Sequence, residues 1–309
     1  MPVEHDHRAH AHHAHGHGAR NYGRAFAIGI TLNLAYLGGE AVAGILSGSL
    51  ALLADAGHNI SDVLGLSLSW GAAVLSRRQP SSRFTYGLRR SSILAALGNA
   101  TILLVVTGGI AWEAISRITH PMPVASGIVI VVAAVGIFVN GGTALLFASD
   151  GGDLNVKSAF LHLAADALVT GGVVVAGIAI WLTGWTRLDP LVSLVLSAVI
   201  IYGTWGLLKN ALGLALDAVP EGVDATAVRA HLLALPGVTG LHDLHIWGMS
   251  TTETALTCHL IMPGGHPGDA VLGGVAEQLH QSFGIQHATI QIELADTDAA
   301  CVLTPEHVV

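Results

Sequence analysis

The sequence predicts an α-helical polytopic membrane protein with six transmembrane helices, followed by a C-terminal α+β domain of α-β-β-α-β order. Of its 309 residues, 52% are apolar and only 11% are charged, whereas about a quarter of the residues in a soluble domain are charged. Apolar runs of about 20 residues, long enough to cross a ~30 Å hydrocarbon core as helix, recur along the chain. After Asp217 the composition changes to that of a small soluble domain.

The helical domain is predicted to occupy residues 21–215, between a histidine-rich arm at 1–20 and a tail domain at 216–309. The arm has no apolar core or cleavage site of a signal peptide, so the first span is expected to direct the chain to the membrane. Short turns, such as Ser47-Gly48-Ser49, separate the spans. The six predicted spans are residues 23–45, 49–75, 92–116, 124–148, 156–183 and 189–212.

The arginines and lysines near the span ends predict the orientation, because cytoplasmic loops carry an excess of them. Of the arginines and lysines near the span ends, only Arg117 and Arg187 would lie on the side of the membrane away from the cytoplasm. An even number of spans then places both termini in the cytoplasm. An alternative role for the arginine-rich loop between spans 2 and 3 is to bind anionic lipid. The loop between spans 2 and 3 holds Arg77, Arg78, Arg83, Arg89 and Arg90.

Residues 218–309 of the tail domain carry nearly all of the net charge of −8, with Arg229 as their one basic side chain against ten acidic ones. Such a domain repels nucleic acid, which is bound through basic residues, and concentrates cations near its surface. Nucleic acid is therefore excluded as a partner. Two cysteines, Cys258 and Cys301, are too few for a disulfide framework and fit a reducing compartment.

Within the tail, a helix is predicted over Val223–Leu235, where Pro236-Gly237 ends it. Two β-rich runs follow, at Val238–Met249 and Thr252–Met262, with a turn between them. A second helix at about 268–283 and a last strand at about 288–294 complete the domain. An open sheet with helices on one face accommodates this order.

Two His-x-x-x-Asp pairs lie in predicted spans, His58 with Asp62 in span 2 and His162 with Asp166 in span 5. Residues four apart share one helix face, with Cβ atoms about 5–6 Å apart. Two facing pairs supply two imidazoles and two carboxylates, which complete the tetrahedral shell that Zn²⁺ prefers. The pattern predicts an intramembrane zinc site.

Intramembrane charge supports a functional site, because an Asp at mid-helix costs about 2.5–3.5 kcal/mol on insertion scales. Asp55 lies three residues before His58 and has three open roles: an extra ligand, a hydrogen-bond acceptor for His58, or a proton acceptor. Four other polar residues in the spans are expected to form hydrogen bonds between helices. These are Glu40, Asn99, Glu113 and Asn140.

Four stretches give the chain a family resemblance: SGSLALLADAGHNISD (47–62), RFTYGLRR (83–90), SAFLHLAADAL (158–168) and LDAVPEGVD (216–224). Together they resemble the cation diffusion facilitators, a family of zinc transporters, in the same order along nearly the whole chain. The resemblance implies a homodimer in the lipid bilayer, expected in a bacterial inner (plasma) membrane. It also implies a ferredoxin-like cytoplasmic tail and export of divalent metal driven by inward H⁺ flow. The implied transport-site residues are His58, Asp62, His162 and Asp166.

The resemblance further implies Zn²⁺ as the transported ion, with Cd²⁺ and Co²⁺ as further substrates, and a regulatory metal in the tail. His242 and His259 match strand positions that bind metal in the family. The last strand departs from the His-x-Asp pair of the family's bacterial exporters, which leaves the ligand set open. His287 and Glu293 are candidate ligands, and Cys301 is a weaker one.

The N-terminal arm holds seven histidines in a Gly/Ala-rich segment, and either a metal-gathering arm or an inert tail fits. Two other functions compete with transport. An intramembrane metalloenzyme would need an open coordination position and a general base, and the sequence has no His-Glu-x-x-His. A metal sensor that binds without transporting could carry the same tail. The arm histidines are His5, His7, His10, His12, His13, His15 and His17.

Overall fold

The computed structural model describes residues 22–76, 78–147 and 154–294. Within them, each predicted span falls in one long helix, and its predicted ends lie within three residues of the observed ones. Four described helical segments are long and apolar enough to cross a membrane: Ser91–Thr119, Ser126–Ala144, Ala164–Thr183 and Leu188–Ala215. The helices are α1 Tyr22–Ser47, α2 Leu50–Ser76, α3 Ser91–Thr119, α4 Ser126–Phe147, α5 Leu154–Thr183 and α6 Leu188–Ala215.

The start of α2 is fixed by a residue of α6. Gly48 turns the chain with a φ of 68°, and the Ser49 hydroxyl oxygen accepts the N–H of Leu52 at 3.1 Å. The buried carboxylate of Asp189 accepts the Ser49 hydroxyl at 2.5 Å and the Leu50 N–H at 2.7 Å. A carboxylate is favourable at a helix N-terminus because free N–H groups and the helix dipole meet there. This cap positions the helix that carries His58.

Small side chains let the helices approach closely around that site. A Cβ built on Gly136 of α4 would overlap the hydroxyl of Tyr36 on α1, so glycine is required at this contact. A buried cluster of Ala51, Leu52, Val129, Ala133 and Val173 joins α2, α4 and α5. Outward-facing apolar side chains, by contrast, form the surface suited to lipid. Phe138, Leu168 and Tyr202 are among these, at 78%, 78% and 87% exposure.

The tail follows the predicted α-β-β-α-β order, with α7 Ala225–Leu233, β1 Gly240–Gly248, β2 Thr254–Ile261, α8 Asp269–Phe283 and β3 His287–Glu293. Asp224 caps α7 by accepting the N–H groups of Thr226 and Ala227 at 2.8 and 3.1 Å. The sheet order is β1-β2-β3, antiparallel between β1 and β2 and parallel between β2 and β3. Its core includes Leu232, Leu256, Leu260 and Leu279.

Two local details distinguish the strands from the predicted β-rich runs. β2 begins at Thr254 because the Ser250 hydroxyl oxygen accepts the N–H groups of Thr252 and Glu253, which keeps these residues in the turn. β1 contains a bulge between His242 and His245. At the bulge Asp243 adopts a φ of 51°, a conformation in which Asp is among the more tolerated residues.

The tail docks against the start of α3 through polar contacts. Arg89 Nη1 lies 2.8 Å from Glu253 Oε1, and the N–H of Thr251 donates to the Ser92 hydroxyl at 3.1 Å. Arg90 also pairs with Asp217 just after α6. The basic loop between α2 and α3 therefore lies on the same side of the molecule as the tail domain.

Candidate metal centres

The helical domain brings one residue of each His-x-x-x-Asp pair together. His58 Nε2 on α2 lies 3.7 Å from Asp166 Oδ1 on α5. The Asp166 side chain is 8% exposed and that of His58 is 27% exposed, so the carboxylate is deeply placed while the imidazole borders an accessible space. An imidazole nitrogen and a carboxylate oxygen at this separation can share a metal ion, since each bonds Zn²⁺ at about 2.0–2.2 Å.

The other two predicted ligands lie on the same two helices, but the side chains of Asp62 and His162 are outside the described part of the chain. Their backbones belong to α2 and α5. The contact joins His58, the first residue of the α2 pair, to Asp166, the second residue of the α5 pair. Such a contact is expected when two helices run in opposite directions. In sequence, Asp62 lies one helical turn after His58 and His162 lies one turn before Asp166.

A second buried polar group lies one turn before His58. Glu40 on α1 is 0% exposed and Asp55 on α2 is 1% exposed. The Tyr36 hydroxyl donates to Glu40 Oε1 at 2.7 Å, and the Thr170 hydroxyl of α5 donates to Asp55 Oδ2 at 2.8 Å. The two carboxyl groups lie within hydrogen-bonding reach of each other. Asp55 thus faces Glu40, and Thr170 links it to α5.

The tail sheet assembles a compact cluster from three strands. His242 of β1 and His259 of β2 are cross-strand partners, with ring centroids 4.9 Å apart. Glu293 of β3 reaches both rings, with Oε2 at 2.9 Å from His242 Nε2 and Oε1 at 2.8 Å from His259 Nδ1. One ligand atom from each of the three residues lies within 4.8 Å of the others. Two nitrogens and one carboxylate oxygen form a donor set suited to Zn²⁺.

Asp243 borders this cluster and was missed by the sequence reasoning. Its Oδ2 lies 3.5 Å from His259 Nε2 and its Oδ1 lies 2.8 Å from His245 Nε2. Regular alternation would put Asp243 on the opposite face of β1 from His242, and the bulge removes that constraint. The sequence signal was an Asp, tolerant of positive φ, inside a β-rich run.

The remaining predicted tail residues lie elsewhere. His287 begins β3, six residues before Glu293, and its ring meets the edge of Tyr86 at 6.2 Å between centroids. The structure does not bring it to the cluster. Cys258 points into the core, where burial, with the charge of Asp243, raises its thiol pKa to about 12. Cys301 and the arm histidines lie outside the described residues.

The sequence reasoning also missed Asp189, which caps α2 from α6. Its signal was a lone acidic residue at the start of a span, a position that favours a carboxylate. Of the polar residues predicted to link helices, Glu40 bonds to Tyr36 of its own helix and faces Asp55, while Asn99 Oδ1 accepts the Ser61 hydroxyl at 3.4 Å. Glu113 instead pairs with Arg117 of its own helix at 2.8 Å.

Two family models match the chain. The model of the cation efflux transmembrane domain matches residues 26–214. The model of the cation efflux protein cytoplasmic domain matches residues 220–295. The junction between the matches falls between the end of α6 and the start of α7.

Curated relatives match over most of their length. The zinc transporter ZitB of Escherichia coli K12 is 36% identical over 271 residues, which are 87% of this chain and 86% of the relative. The metal cation efflux system protein CzcD of Cupriavidus metallidurans is 35% identical over 279 residues, 90% and 88% of the two chains. The cadmium, cobalt and zinc/H⁺-K⁺ antiporter of Bacillus subtilis is 32% identical over 260 residues, 82% and 83%.

Proposed function

The chain belongs to the cation diffusion facilitator, or cation efflux, family, and from that premise we propose that it exports Zn²⁺ from the cytoplasm in exchange for H⁺. The ion would pass through an intramembrane site formed by His58, Asp62, His162 and Asp166. The observation that carries the proposal is the 3.7 Å approach of His58 to Asp166 between two helices of the membrane region. Members of this family are transporters rather than enzymes.

The composition of the site favours zinc. Two imidazoles and two carboxylates fill a tetrahedral shell, so no coordination position is left for the water that a hydrolytic zinc site activates. Asp62 and His162 supply the second half of this shell, one helical turn from the observed contact. The names of the relatives include zinc, cadmium and cobalt, and we propose Cd²⁺ and Co²⁺ as further substrates.

Competition between metal and protons explains how exchange is driven. The metal needs neutral imidazole and ionised carboxylate, so a proton-rich side releases the ion and a proton-poor side binds it. A site near the midplane that opens alternately to the two sides then exchanges one for the other. The relative described as an antiporter with H⁺ supports this direction of coupling.

All six helices cross the membrane in this proposal, with both termini on the cytoplasmic side of a bacterial inner membrane. The excess of arginine between α2 and α3 favours this orientation. The ion pair of Arg89 with Glu253 supports it, since it places that loop and the tail on one side.

The tail is proposed to form a ferredoxin-like homodimerisation domain that senses cytoplasmic metal. His242, His259 and Glu293 would hold Zn²⁺, with Asp243 or water as a fourth ligand. Neutralising this acidic domain with a divalent ion would allow two tails to pack more closely. The contacts of Arg89 and Ser92 with the β1–β2 turn provide a route from the sheet to α3.

Zn²⁺ flux into proteoliposomes tests the proposed function. With an imposed pH gradient, wild-type protein should accumulate Zn²⁺, while His58→Ala and Asp166→Ala should reduce the flux to that of empty vesicles. Glu113→Gln is the matched control, because Glu113 is half exposed and pairs with Arg117 near the end of α3. Flux that survives both site substitutions would contradict the site assignment, and binding without flux in wild type would instead support a sensor.

A further inference from the structure

The pair formed by Glu40 and Asp55 lies outside the four proposed ligands and has an unusual bonding pattern. One oxygen of Glu40 accepts a hydrogen bond from the Tyr36 hydroxyl, and one oxygen of Asp55 accepts a hydrogen bond from the Thr170 hydroxyl. Among the described residues, the other oxygens, Glu40 Oε2 and Asp55 Oδ1, are fully buried and have no hydrogen-bond partner, although Asn59 of α2 also interacts with the Glu40 carboxyl group. The two side chains nevertheless reach each other across the contact of α1 and α2.

Two ionised carboxylates in this position would be costly. A buried charge needs a partner of opposite sign or a full set of hydrogen-bond donors, and neither Glu40 nor Asp55 takes part in an ion pair with Arg or Lys among the described side chains. A single proton between the two free oxygens removes one charge and supplies a donor to the other oxygen. Carboxylates that share a site hold a proton for this reason.

We propose that Glu40 and Asp55 form a proton-binding carboxyl pair, and that its proton is one of those exchanged for the metal. The inference rests on the proposed function and locates one step of its coupling. Metal at His58 and Asp166 places two positive charges one helical turn from Asp55, and the proton then leaves to the aqueous side. The positive charge of the ion stabilises the ionised pair, and the excess negative charge favours return of the proton once the ion has left.

The groups around the pair come from four helices. α1 contributes the Tyr36 hydroxyl and α4 contributes the Val132 carbonyl, which accepts from the same hydroxyl at 3.3 Å. Within the described part of the chain, the charged or titratable groups beside the pair are Tyr36 of α1, His58 of α2 and Asp166 of α5. Thr170 donates to Asp55 and also to the Asp166 carbonyl at 2.9 Å, which connects the pair to the proposed metal site.

Infrared difference spectroscopy on the full-length protein tests the proton directly. Metal-free wild type at neutral pH should show the carbonyl band of a protonated carboxyl group, and Zn²⁺ should remove it. Glu40→Gln should lack the band, whereas Glu113→Gln should retain it. If Glu40→Gln does not fold, Asp55→Asn should lack the band as well. A wild-type spectrum without the band, or a band that survives these substitutions, would overturn the proposal.

Proton release on Zn²⁺ binding gives a second measurement. In a His242→Ala/His259→Ala background, which removes the tail cluster, Glu40→Gln should release about one proton fewer per Zn²⁺ than its parent. An unchanged proton count would overturn the proposal. If wild type fails to move Zn²⁺ under a pH gradient, the proposed function is rejected. The infrared band and the proton count still test the carboxyl pair independently of that result.

Discussion

Replacing Glu293 by Gln should weaken metal binding in the tail while leaving the sheet intact. Glu293 contacts both histidines, at 2.9 and 2.8 Å, and is the one carboxylate among the three clustered residues. Structural Zn²⁺ sites with four ligands have apparent binding free energies of about 10–16 kcal/mol, so one ligand corresponds to about 2.5–4 kcal/mol. At about 1.4 kcal/mol per factor of ten, affinity should fall by about 10²–10³-fold.

Competition with a zinc-chelating dye at neutral pH measures this change. An Asp166→Ala background removes the proposed transport site, so that the tail cluster dominates the signal. Glu277→Gln is the matched control, because Glu277 is an exposed carboxylate on α8 that bonds only to Gln281 among its described partners. An affinity for Glu293→Gln within a factor of three of the control would refute the assignment of the cluster as a metal site.

Three further predictions concern the tail, its docking and the helix packing. In a Cys301→Ser background, Cys258 should resist alkylation at about pH 8 because its thiol pKa of about 12 keeps it protonated; rapid labelling of folded protein would contradict its burial. Glu253→Gln should change the free energy of unfolding by less than about 1 kcal/mol, because the ion pair of Glu253 with Arg89 is partly exposed. The same substitution should increase the distance between the tail and α3 in spin-label measurements. Exchanging the charges, Arg89→Glu with Glu253→Arg, should restore the wild-type distance. Gly136→Ala should destabilise the protein by about 1–3 kcal/mol through overlap with Tyr36, seen as a lower melting temperature than for Gly141→Ala, whose added Cβ meets nothing within 4 Å.

The features that sequence reasoning reached are those set by local spacing. The helix positions follow from the length of the apolar runs. The shared face within each His-x-x-x-Asp pair follows from the helical repeat, since residues four apart share a face whatever the helix packs against. The tail elements follow from the same kind of signal, with alternation in β1 and β2 and a Pro-Gly stop after α7. These patterns need no knowledge of the tertiary contacts.

The features that it missed depend on which elements meet. The acidic residue at the start of α6 is visible in the sequence, but the helix that Asp189 caps, more than 130 residues earlier in the chain, is not, because that contact is made by packing α6 against α2. The pairing of Glu40 with Asp55 likewise requires α1 and α2 to be in place. Asp243 joins the tail cluster because one residue leaves the regular strand conformation, and alternation alone assigns it to the wrong face.

Simultaneous recording of Zn²⁺ and pH inside the same proteoliposomes tests the central claim most directly. The account predicts that Zn²⁺ entering through the wild-type protein is accompanied by H⁺ leaving, and that Asp166→Ala abolishes both signals together. Zn²⁺ entry with no change in internal pH would contradict the proposed exchange. Parallel loss of both fluxes in Asp166→Ala, with both retained in Glu113→Gln, would place metal and proton transport at the same intramembrane site.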